Sequence, residues 1–196
     1  SPVATPVVSD QQASGGVITV ETDLLKLEIS LRGGTIMSAW LKDYSVSPED
    51  PENKFRLLKP TVPNLFIAQS GLLGGDNDQL PTHEATFSAA QNSFTLASEQ
   101  NELIVELVWT HTSGVQVKKS YRFERGSYVV HLTQEVTNNT GMPLAVRSYE
   151  QLQRTELSDP NKSQFIYTYT GSVYYSPEDK YTKESFDDMR DGKLQR

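Results

Sequence analysis

From Leu25 to Leu31 every second side chain is apolar, with Lys26, Glu28 and Ser30 between Leu25, Leu27, Ile29 and Leu31. A period of two predicts a strand with one face in a core and the other in water. Arg32-Gly33-Gly34 follows. Two glycines in a row mark a point where the chain reverses or lets a second backbone come close. The rhythm returns between Leu103 and Tyr149. Leu103, Val105, Leu107 and Trp109 alternate, and "HTSG" turns the chain. Val115 to Phe123 comes back with Gln116, Lys118, Ser120 and Arg122 on one face. "ERGS" turns it again, and Tyr128, Val130, Leu132 and Val136 share the next dry face. "NNTG" then leads into Leu144 to Tyr149, so the pattern predicts a four-stranded antiparallel meander.

Shorter strands are predicted at Val17 to Glu21, Thr35 to Leu41, Phe55 to Leu58 and Asn64 to Gln69, with Leu24 to Leu31 as the strand described above. Ser45 to Asn53, "SVSPEDPEN", holds two prolines and three acids and reads as a surface loop. "GLLGGDNDQLPTHE" reads as a second long loop. Helix is scarce. Its best start signal is Ser176-Pro177-Glu178-Asp179, a cap, a proline at the first helical position and acids in the first turn. Ser1 to Gly16 is rich in Pro, Ser, Gln and Ala and reads as a flexible polar linker ahead of a domain over residues 17–196. The fold class is all-β, an antiparallel sandwich.

Composition narrows the function. The 196 residues carry a net charge of −7 and no Lys/Arg block, which disfavours phosphate backbones and anionic lipid heads. There is no cysteine, and so no disulfide, thiolate metal site or cysteine nucleophile. No stretch approaches the ~20 apolar residues that span a bilayer, so any membrane anchor is expected outside this chain.

Candidate chemistry is sparse. The three histidines, His83, His111 and His131, lack the spacing of a helical zinc site and read as solvent-facing or locally bonded. Asp76 and Asp78 could open a calcium loop, but the twelfth position is Phe87. No phosphate loop, dinucleotide fingerprint or nucleophile elbow occurs. No cofactor, metal or catalytic residue is assigned. What stands out is aromatic: "FIYTYTGSVYYSPEDKY" holds Tyr167, Tyr169, Tyr174, Tyr175 and Tyr181. Tyrosine suits contact surfaces because it offers a large area, little entropy loss and a polar tip. Tyr174 and Tyr175 point to opposite faces if extended, which turns one ring outward.

"TDLLKLEISLRGG", "PNLFIAQSGL", "KKSYRFERGSYVVHLTQEVTNNTGMPL" and "YTGSVYYSPEDKYTKESFDDM" together resemble the large periplasmic domain of the YidC-type membrane-protein insertases of Gram-negative bacteria. The resemblance runs from Ile18 to Met189. It implies a large twisted β-sandwich of the galactose-mutarotase type with little helix, of which this chain would hold the N-terminal two-thirds. It also implies a multi-pass inner-membrane protein whose membrane helices lie outside this chain, with the domain on the periplasmic face. Implied partners are the Sec translocon, its auxiliary subunits and nascent inner-membrane proteins, and the implied role is non-catalytic help with insertion and folding. The family's contact region for auxiliary Sec subunits begins at the position matching Ile166. Carried across residue by residue, the candidates are Tyr167, Tyr169, Gly171, Tyr174, Tyr175 and Tyr181.

The fold suggests a second expectation, a carbohydrate-binding or aldose-epimerase-like protein. Mutarotases gather two histidines and a glutamate in one groove. That reading requires His111, His131 and an acid such as Glu135 to converge.

Overall fold

The computed structural model describes residues 16–74, 80–156, 169, 171–178 and 180–191. The chain forms two compact units, one up to Thr155 and one from Glu156 onward.

In the first unit the strands are β1 (Val17–Glu21), β2 (Leu25–Ser30), β3 (Ile36–Ser47), β4 (Asp50–Leu58), β5 (Phe66–Leu73), β6 (Ser88–Ala89), β7 (Ser93–Thr95), β8 (Glu102–Thr110), β9 (Val115–Glu124), β10 (Val130–Asn138) and β11 (Arg147–Arg154). One sheet runs β11-β5-β3-β2-β1-β7, with β4 also on β3, and the other runs β10-β9-β8-β6. Both sheets turn their apolar rows inward. Ile18, Val20, Leu27 and Ile29 of the first join Val105, Leu107, Val117 and Phe123 of the second in one buried cluster. The sandwich follows directly from the period-two alternation, because each sheet has one dry face that only another dry face can cover.

Three sequence expectations are corrected. Ser45 to Asn53 is no loop: β3 and β4 run on through it as a hairpin whose register reaches Ser47 opposite Asp50. Pro51 and the acids are tolerated because nothing pairs with the outer side of β4 among the described residues, and an edge strand can spare a backbone donor. The fourth strand of the meander belongs elsewhere. β11 pairs with β5 over eight residues, Arg147 opposite Leu73 to Arg154 opposite Phe66. Gly141 and Pro143 lie in the connection from β10, which is long enough to carry the chain across to the other sheet. The helix signal at Ser176 is overridden as well.

In the second unit Ser176 ends β12 (Gly171–Ser176), which pairs antiparallel with β13 (Lys180–Ser185). Pro177 and Glu178 serve the turn between them. The helix comes later, as α1 (Phe186–Arg190), with Ser185 as the cap accepting from the Asp188 amide and acids in its first turn. The Asp76/Asp78 loop lies outside the described residues.

Gly33 and Gly34 close the tight reversal from β2 into β3 with φ of +72° and +66°. A Cβ on Gly33 would collide with the His83 carbonyl, so both the left-handed backbone and the close approach demand glycine. Gly33→Ala is expected to lower the urea-unfolding free energy by about 2 kcal/mol or more. Gly126→Ala, with φ +73° but nothing within 4 Å of its Cβ, is expected to cost only about 1 kcal/mol. Equal losses at the two positions would remove the collision from the explanation.

Candidate functional site

β9 alternates strictly, burying Val115, Val117, Lys119, Tyr121 and Phe123 in turn. Lys119 therefore occupies a core position, with no exposure at all. Its Nζ donates to the Gly33 carbonyl at 2.6 Å, the Ser70 carbonyl at 3.0 Å and Ser70 Oγ at 2.9 Å. The ammonium has three protons, and each finds an acceptor. The Phe87 ring lies 5.0 Å away and adds an attraction of its own. Burial pushes the Lys119 ammonium down from the ordinary 10.5 to about 8, because the charged form has lost water without gaining a carboxylate. Two residues on, the Tyr121 hydroxyl donates to the Gly34 carbonyl, and burial pushes its pKa up.

The Arg32-Gly33-Gly34 turn is thus held from both sides. Its carbonyls accept from Lys119 and Tyr121 of the opposite sheet. On its other flank the Gly33 amide donates to Ala85 O at 2.7 Å, and Arg32 pairs with Glu84. Beside it opens a groove of about 540 Å³, whose lining includes Gly34, Ile36, Ala68, Tyr121, His131 and Glu150.

The histidines do not converge. His83 donates its backbone amide to the Tyr149 hydroxyl at 2.9 Å, with Nδ1 2.6 Å from the same oxygen. His111 Nδ1 lies 2.8 Å from Ser113 Oγ, and its ring stacks on Trp109. His131 points outward from β10 opposite Arg122, whereas His111 lies just past Thr110, opposite Gln116. Gln116 and Arg122 are about 20 Å apart along β9 at ~3.3 Å per residue. Glu135 accepts instead from Lys118 at 3.1 Å. The trio required for a mutarotase-type site is not assembled, because positions spread along one sheet face cannot meet. Among the described residues, no group of three His, Cys, Asp or Glu is placed to hold a metal ion.

In the second unit the hairpin register puts Tyr175 opposite Tyr181 and Val173 opposite Lys183. Cross-strand partners share a face, so these four side chains form one surface. Tyr175 and Tyr181 are 68% and 64% exposed. Lys183 Nζ sits 5.0 Å from the Tyr169 ring and 5.7 Å from the Tyr181 ring. Tyr174 points to the other face, opposite Thr182. Gly171 takes the place where a Cβ would strike the Glu184 carbonyl and the Tyr169 ring. Tyr167 lies outside the described residues.

A family model described as YidC periplasmic domain matches residues 17–196. The chain belongs to that family. A protein from Ruthia magnifica named "Membrane protein insertase YidC" is 41% identical over 88% of this chain and 31% of its own length. One of the same name from Methylococcus capsulatus is 40% identical over 90% of this chain and 32% of its own length. The chain therefore spans about a third of the length of the relatives it matches. None of its described helices is long and apolar enough to cross a membrane.

Sequence reasoning missed Lys119, although the signal was present. A lysine stands in phase with Val115, Val117, Tyr121 and Phe123, where a period of two admits only a buried side chain.

Because the folded pKa of Lys119 is depressed, the folded state binds fewer protons than the unfolded state between about pH 8 and 10.5. Its desolvation cost is felt in full below pH 8 and is relieved as pH rises through that window. The unfolding free energy of the wild type is expected to climb from pH 8 to 9.5 relative to Lys119→Met, with a slope approaching about 1.4 kcal/mol per unit. Denaturant titrations of both proteins across that range check it. Parallel pH profiles would contradict it.

Proposed function

We propose that this chain is the sandwich-bearing part of the periplasmic domain of an inner-membrane protein insertase. It works by contact rather than by making or breaking bonds. Family membership supports the setting, since the relatives carry the insertase name. In this reading the chain sits on the periplasmic face of the membrane, with Ser1 to Gly16 as a tether. The domain assists the insertion and folding of nascent inner-membrane proteins by docking subunits of the Sec translocon.

The observation that carries the docking role is the exposed cross-strand Tyr175–Tyr181 pair, flanked by Val173 and Lys183. Two large rings on one side of a short hairpin give a rigid amphipathic surface at little entropy cost. Lys183, held near two tyrosine rings, supplies a cation at its rim. Tyr169, Gly171 and Tyr174 set that surface: Gly171 permits the close backbone, Tyr169 supports Lys183, and Tyr174 occupies the reverse face. Tyr167 belongs to the same proposed contact region. The sandwich brings His111, His131 and Glu135 to no shared point.

Capture of translocon subunits by this chain, with and without Tyr175→Ser and Tyr181→Ser together, tests the proposal. The double variant is expected to lose affinity by about thirtyfold, the cost of about 2 kcal/mol at an aromatic anchor, with an unchanged melting temperature. Undiminished recovery would remove these tyrosines from the contact.

A further inference from the structure

We draw no further inference here: the strongest candidate, the hollow among β1, β2, β3 and β4 lined by Trp40, Asp43, Glu52 and Lys54, carries nothing, because Arg56 and Lys26 already lie over the Trp40 ring, Glu21 already holds Lys42, and nothing in the structure shows what would occupy the acidic cluster that remains.

Discussion

Lys119 places an ammonium group between two β-sheets, and the cost of keeping it there shapes much of what surrounds it. Withdrawing such a charge from water costs several kcal/mol even after the protein relaxes. Three oxygens offset that cost, those of Gly33, Ser70 carbonyl and Ser70 hydroxyl. Two of them are backbone carbonyls, so their positions are set by chain path rather than by side-chain choice. The turn after β2 must present Gly33 O to the opposite sheet. It can do so only with a left-handed backbone and no Cβ, because the His83 backbone closes one side and the Lys119 stem, 2.9 Å from a Cβ on Gly34, closes the other. Ser70 is drawn in by the same ammonium and carries β5 with it. The lysine thus joins a hairpin turn, a strand of the first sheet and a strand of the second in a single interaction. Hydrophobic burial alone would permit the sheets to slide. Hydrogen bonds with fixed partners do not.

The parts of this arrangement that were readable in the sequence are those that depend on one strand at a time. Alternation placed β2, β8 and β9 and their dry faces, and the double glycine marked the reversal into β3. Pairing between distant segments was not readable. β11 carries Tyr149 and Leu152, and nothing in their spacing says that the strand joins β5 instead of continuing past β10. Pro51 and the neighbouring acids pointed to a loop because they are poor in a central strand. On an edge the same residues are acceptable, and whether a strand is an edge is a property of the assembled sheet. Ser176-Pro177-Glu178 had a helix cap's composition, but the strand pairing of β12 with β13 overrode it. Lys119 looked like one more polar residue beside Lys118. Only the phase of its neighbours distinguished the buried lysine from the exposed one.

Two kinds of surface result. The sandwich unit buries its interior, holds His111 and His131 apart along one sheet and commits the deeply buried Lys119 charge to structure. The hairpin unit instead leaves two tyrosine rings in solvent on one face. Membership in the YidC periplasmic domain family gives the setting in which the docking face is proposed.

The central claim is that the Lys119 ammonium locks the Arg32-Gly33-Gly34 turn to the opposite sheet. Amide hydrogen exchange in the wild type and in Lys119→Met measures that lock most directly. The account predicts that in the wild type the Gly33 and Phe87 amides, bonded to Ala85 O and Leu31 O, exchange only as slowly as the core amides of β8 and β9. In the variant these two should open locally and exchange far faster, while β8 and β9 stay protected. Unchanged protection of Gly33 and Phe87 in a folded Lys119→Met protein would contradict it.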